Sequence, residues 1–363
     1  FCRYVLPYRG SNEPLDPWRK SLFDQYSGLS KTLKDSTDPV AAARVINNDL
    51  ISWFKFDSRY YYHPTDQGIT EMRAAKMGRC EDMTNLTIYA MRANGLAVTS
   101  DYTPFWSDTS NNHAWNSILL PDGKVVPFMG AEANPGEYTL AHKAAKIYRK
   151  TFENHPENLT FQDRKQKKIP GWLSGKSYID VTPDYMRTCD LSVDLTVPVP
   201  DSIDIAYLCV FNTGEWQPIQ WGKINRQSVT FSAMGTNVAY LPAYYLNEKI
   251  VPAGPPFICR DDCSRTILAP EQGNAVTVQL LSVGRTKPDG DIAGKMKSHL
   301  TAGKEYELMY WDGDWKSQGK ATATDMPLQF DNVPAGCLYR LVATDSDNEE
   351  RIFTLDGLLQ VWW

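Results

Sequence analysis

Apolar and small side chains recur at Met83, Leu86, Ala90 and Ala93, the three-to-four spacing of one helical face, and Gly95 supplies a stop. The pattern predicts a buried helix whose first residue is Cys80. Beyond it come the short run Leu96 to Ser100, a loop through Pro104 and Asn111, and the strand-like run Ala114 to Leu120. Pro121-Asp122-Gly123-Lys124 turns the chain back into Val125 to Phe128, which predicts a hairpin. Upstream, Asp38-Pro39 opens a helix carrying Val40, Ala43, Val45, Ile46 and Leu50, with proline at its first position. It runs into the aromatic series Trp53 to Phe56 and Tyr60 to Tyr62. Residues 1–39, broken by Pro7, Pro14 and Pro17, predict an extended lead-in with one helix from Trp18 to Tyr26. Past Glu132, Glu137 to Lys150 predicts a helix with basic residues on one side, and Phe161 to Lys168 a charged loop. Both are expected to be solvated surface.

From about Asp180 the texture changes to short alternating runs such as Leu191 to Val197, bounded by proline and glycine, as in β-sandwiches. An internal repeat lies here. Tyr207, Gly214 and Trp216 match Tyr306, Gly313 and Trp315, each 99 positions on, and the same offset carries Phe231 to Phe330 and Tyr240 to Tyr339. An ungapped register of this kind argues for duplication of a unit of about 90 residues. The segments Val193 to Val197 and Val276 to Leu280 are expected to be the first strand of each copy. The Gly-acidic-Trp step reads as a hairpin turn in both, its tryptophan either a core plug or a stacking platform for carbohydrate or peptide.

A chain of 363 residues is too long for one ordinary core, and two or three domains are expected. The net charge of −5, with basic residues not gathered into a face, points away from nucleic acid. No apolar run approaches the ~20 residues of a membrane span. The first residues, Phe1-Cys2-Arg3, suggest a trimmed leader. With seven scattered cysteines, an odd number and no disulfide scaffold, the expectation is an exported protein of a bacterial periplasm or cell surface. Cys259 and Cys263 have no second pair and no neighbouring histidine, so unlinked or locally bridged thiols are expected rather than a zinc site. No metal or cofactor is called for.

The chemistry centres on the predicted helix start. A thiol there meets unpaired backbone N–H groups and the positive end of the helix dipole, which favour the thiolate. Cys80 is therefore a candidate nucleophile, and His113, 33 residues later at the start of a strand, a candidate base. Gly171 to Ser177 has three residues between its glycines where a phosphate loop needs four. The serine-hydrolase elbow and the zinc-protease helix are absent, which leaves the thiol as the visible nucleophile. The aromatic run before it reads as core packing, or as a cleft lining that supplies a phenol to an oxyanion.

Gly78-Arg79-Cys80-Glu81-Asp82, Arg92-Ala93-Asn94-Gly95-Leu96, His113-Ala114-Trp115 and Asp122-Gly123-Lys124-Val125-Val126-Pro127 together resemble the transglutaminase-like superfamily of papain-type cysteine enzymes, over roughly residues 40 to 135. The resemblance implies a Cys80–His113 couple. The family's third residue, an Asp that orients the histidine, would fall at Met129, which cannot accept the imidazole N–H. Glu132 is the nearest carboxylate and is assigned that role here, with Asn134 as an amide alternative.

The expected architecture is α+β: a transglutaminase-like, papain-related domain at 1–185, then all-β sandwich modules at 186–268 and 269–363. The expected activity is acyl transfer at amide bonds of a peptide, protein or glycopeptide, as peptidase, amidase or glutamine acyltransferase. The alternative is a catalytically degenerate relative that binds a glycan or peptide at a cell surface.

Overall fold

In the computed structural model, which describes residues 1–163, 165, 168–285, 298–346, 349–357 and 359–363, the central helix spans Cys80–Ala93. All its residues except Glu81 and Ala93 are buried. Burial on every side is tolerated because each buried polar side chain makes at least one hydrogen bond, although the Asn85 Oδ1 has no partner among the described residues. Asp82 accepts from the backbone N–H groups of Gln67 (2.8 Å) and Arg79 (3.0 Å). The Asn85 amide reaches Asp66, and the Thr84 and Thr87 hydroxyls donate to carbonyls of their own helix. Arg92 donates to the carbonyls of Tyr4, Pro7, Arg9 and Val98. This guanidinium, together with Arg19, whose donors reach Val5 and Leu6, ties the extended lead-in to the body.

The helix Pro39–Trp53 begins where the sequence predicts. The Asp38 carboxylate accepts from the Val40 and Ala41 N–H groups, and Ala43, Ile46 and Leu50 turn inward. A five-stranded antiparallel sheet completes the first unit, in the order Val125–Phe128, His113–Leu119, Val98–Thr103, Tyr148–Lys150, Tyr178–Asp180. The predicted hairpin forms its edge.

The segment 137–150 departs from its prediction. It is irregular as far as Ile147 and then enters the sheet as Tyr148–Lys150. Two of the basic residues read as a solvated helix face, Lys146 and Arg149, are inside, while His142 and Lys143 are exposed. Lys146 is fully buried, bonded to Asp180 and to the carbonyls of Ser232 (3.0 Å) and Ala233 (2.9 Å). Arg149 is paired bidentately with buried Asp101 at 2.8 and 2.7 Å. Charge spacing misled because Arg149 pairs with the buried Asp101 carboxylate and the Lys146 ammonium turns inward onto two carbonyls and the edge carboxylate Asp180 rather than into water.

The remainder is strands. Thr188–Asp194 pairs with Ser228–Gly235, and Glu215–Asn225 with Ile205–Asn212, which also pairs with Val238–Leu246. Downstream, Ala275–Leu280 pairs with Leu328–Pro334, and Trp315–Thr322 with Glu305–Trp311, which also pairs with Tyr339–Ala343. Both sets have the same connectivity. They differ in one join: Glu215–Asn225 is long enough to reach Ser228–Gly235 and merges its sheets into one eight-stranded sheet, whereas the downstream sheets stay separate. Each set encloses its own apolar cluster, one around Leu191, Leu208, Phe231 and Tyr240, the other around Leu280, Leu308, Phe330 and Tyr339. A further cluster joins all three units, from Tyr102, Ala114 and Tyr148 of the first sheet through Tyr207, Phe211 and Trp216 to Trp311, Ile352 and Trp363. Among the described residues no helix is long and apolar enough to cross a membrane.

Cys263 is not bridged to Cys259; it joins Cys189, 74 positions away, and Cys259 is a buried free thiol. Such a link restricts the unfolded chain over a long loop. Cys189→Ser should lower unfolding stability by about 2–4 kcal/mol, measured by urea titration against the oxidised parent; coincident midpoints would remove the bridge from the stability account.

Candidate active site

Why Cys80 stands at a helix start is visible at Gly78. A Cβ there would lie 2.6 Å from the Asp82 Cβ and 2.7 Å from the Gln67 amide, so only glycine lets the Met77–Gly78 strand pass over the capping carboxylate. Asp82 in turn takes the Arg79 N–H and starts the helix one residue later, at Cys80. Arg79 is held at 2.6 Å by Asp66, a carboxylate that is itself buried. The Gly-Arg-Cys-Glu-Asp motif is thus one mechanical unit.

The sulfur donates to Glu81 Oε2 at 3.1 Å. The Ala114 backbone N–H and the Tyr61 hydroxyl also hydrogen-bond to it. Glu81 is steadied by Asn112 at 3.4 Å and Arg79 at 3.7 Å. The electrostatics reverse the sequence expectation of a stabilised thiolate. Burial, and next the Glu81 carboxylate, push the Cys80 thiol up to about 12, against the smaller opposing effects of Ala114 and Tyr61. Desolvation and a like charge outweigh the helix end. The thiol at rest holds its proton.

His113 opens the strand His113–Leu119, one residue before the N–H that meets the sulfur. Its ring lies among aromatics, 5.8 Å from both Trp106 and Trp115. Burial lowers its pKa; Glu81 opposes this and His142 adds to it. His113 Nε2 bonds the Tyr138 hydroxyl at 3.0 Å, and Nδ1 has no hydrogen-bond partner among the described residues. Burial, and next the Glu132 carboxylate, raise the Tyr138 pKa and keep the phenol protonated. The folding brings Cys80 and His113 to one corner, but the described contacts include no direct bond between them.

Glu132, assigned as the orienting carboxylate, is exposed in the turn that bridges Met129 to Ala133, and no described bond joins it to His113. Its charge is felt at the Tyr138 phenol and is not among the causes of the His113 shift. Asn134 is occupied by Asn47 and Asn48 on the helix Pro39–Trp53. Met129 is buried in the core beside that helix, and Gly130 after it passes so close that a Cβ would lie 2.1 Å from the Thr87 hydroxyl. The sequence reading missed Tyr138 and Glu81. Tyr138 lay in a segment assigned to a surface helix. Glu81 was visible beside the thiol, and its effect on the sulfur was not weighed. Tyr61 belongs to the aromatic run already read as a possible source of a phenol.

The loop before His113 is held from the β units. The Asn212 amide nitrogen lies 2.9 Å from the carbonyls of Trp106, Thr109 and Asn111. Arg351 donates to Ser107 (2.6 Å), Phe211 (2.8 Å) and Trp363 (2.8 Å), and burial holds its pKa down to about 10. Behind Trp115, its indole N–H reaches Tyr185, which bonds Asp101 at 2.6 Å. The Trp115 indole and the Trp106 backbone beside the imidazole are therefore fixed by polar networks rather than by packing alone.

Residues 28–129 match the family profile described as the transglutaminase-like superfamily. No curated protein matches the chain. Among solved structures, the chain is similar to a candidate cysteine protease from Cytophaga hutchinsonii, at 15% identity and a TM-score of 0.27, covering 36% of this chain and 41% of that one. The profile match takes in the thiol, the imidazole and the strand that ends at Phe128, and it ends at the buried methionine that follows. Residues 28–129 are thus a transglutaminase-like domain.

Proposed function

We propose that the protein carries out thiol-dependent acyl transfer at amide bonds, with Cys80 as nucleophile and His113 as base. The observation that carries this reading is the placement of the sulfur at a buried helix start, against the N–H of the residue that follows the imidazole. In the reaction the sulfur adds to the amide carbonyl while His113 takes the thiol proton. The anion formed on the carbonyl oxygen is met by the Ala114 N–H and the Tyr61 hydroxyl. His113 then returns the proton to the departing amine, leaving a thioester. Water resolves it to an acid, giving a peptidase or amidase; a second amine resolves it to a new amide, giving a transglutaminase. A ring kept neutral by burial is in the form that accepts a proton. Substrate entry must first separate the thiol from Glu81.

The remaining parts are read accordingly: a papain-related core, two related β-sandwich modules after it, and a peptide, protein or glycopeptide as substrate. The Cys189–Cys263 bridge suits an oxidising, extracytoplasmic setting. One observation favours the second reading, a degenerate binding protein. The described bond to the imidazole comes from a phenol and not a carboxylate, beside a thiol that is protonated at neutral pH.

Incubation with casein, with and without dansylcadaverine, should give cleavage or label incorporation that Cys80→Ala abolishes and His113→Ala lowers by about 10²-fold or more. Inertness of the parent together with failure to trap a thioester would leave the binding reading. Activity should fall on the acid side only below the ordinary imidazole pKa, because burial lowers the pH at which His113 gains its proton. Glu81→Gln removes the like charge and should bring the Cys80 titration down from about 12. Iodoacetamide labelling at pH 8 should then rise several-fold, and an unchanged rate would exclude the carboxylate as the cause of the raised pKa.

A further inference from the structure

Away from the thiol, the two duplicated hairpin turns face one cleft. Gly214-Glu215-Trp216 and Gly313-Asp314-Trp315, each with its glycine at positive φ (78° and 74°), contribute to the walls of a cavity of about 630 Å³. That volume lies within the ~300–1,000 Å³ usual for ligand sites. Trp311 and the exposed Trp172 complete an aromatic lining of four indoles. Trp216 stands edge-on to Trp311 at 5.7 Å, and Trp311 edge-on to Trp315 at 5.1 Å.

Two of these rings carry an unmet need. The indole N–H groups of Trp216 and Trp311 are enclosed and have no hydrogen-bond partner among the described residues, with both residues more than nine-tenths covered. An N–H directed at a neighbouring ring recovers only a weak interaction. A full partner must bring lone pairs. The cleft also presents the carboxylates of Glu215 and Asp314 beside Lys249, with Glu248 paired to Lys168, so its lining stays acidic and disfavours anions. A cationic ligand suits that charge but offers no acceptor to an indole. A hydroxyl both accepts from N–H and donates to a carboxylate, and a pyranose ring adds an apolar face that stacks on indole.

We propose that this cleft binds an uncharged oligosaccharide, stacked on Trp172 and Trp315, with its hydroxyls donating to Glu215 and Asp314 and its oxygens accepting from Trp216 and Trp311 once a shift of the rings opens their enclosed N–H groups. The site stands independently of the thiol chemistry. It also gives the repeat a purpose, since duplication supplies the same turn twice to one cleft.

The test uses the full chain on an array of neutral hexose and N-acetylhexosamine oligosaccharides, with a peptide array in parallel and intrinsic tryptophan fluorescence to titrate the best binder. At least one neutral oligosaccharide should bind and perturb the fluorescence. Trp172→Ala, on an exposed turn, and the isosteric pair Glu215→Gln and Asp314→Asn should each weaken binding at least tenfold. Phe152→Ala, an exposed aromatic elsewhere, should not, and Cys80→Ala should bind as the parent does. The proposal is overturned by an array with no neutral glycan bound, by binding that the cleft variants leave intact, or by selection of peptides alone. Loss of binding in Cys80→Ala would assign recognition to the thiol site and overturn it equally.

Discussion

A helix buried on nearly all sides tolerates polar residues only where each finds a partner, and Cys80–Ala93 carries Asp82, Thr84, Asn85, Thr87 and Arg92. Their partners lie in the lead-in, the loop at Asp66 and Gln67, and the helix itself. Leaving one of these groups unpaired in a dry interior costs about 1–3 kcal/mol, and more for the charged ones. The register of the helix, and with it the position of the sulfur, is therefore set by hydrogen bonding more than by its apolar stripe. A shift of one residue would strand Asp82 and Arg92 at the same time.

The same logic governs the imidazole from the other side. Its neighbour Trp106 belongs to a loop whose carbonyls are gathered by Asn212 and Arg351. These two residues lie more than 100 positions downstream, in different β units. A guanidinium satisfied by carbonyls brings no neutralising charge, yet it fixes several backbone points at once. The two β units thus act on the thiol site through the backbone of one loop.

Local signals made much of this legible. The Asp38-Pro39 start, the helix opened by Cys80, the hairpin closed by Asp122-Gly123 and the strand opened by His113 all follow from short-range rules, and the structure has them. The 99-residue offset likewise falls on strands of equivalent pairing. What escaped was set by distant partners. Lys146 and Arg149 read as solvated because periodicity cannot show that Asp180 and the buried Asp101 stand opposite them. The thiol was assigned by helix position, whereas its proton affinity is decided by burial and by Glu81. Tyr138 reaches His113 from an irregular segment that has no pattern to read.

The apolar cluster shared by the three units has an architectural consequence. Tyr102, Ala114 and Tyr148 on the first sheet are covered by side chains as distant as Trp311 and Trp363. A fragment cut after the first unit would present that surface to water and would tend to self-associate, so the portion bearing the thiol is not a detachable cassette. The tandem β units form its back wall, and insertions or losses between them would be felt at the imidazole before they were felt in the chain's solubility.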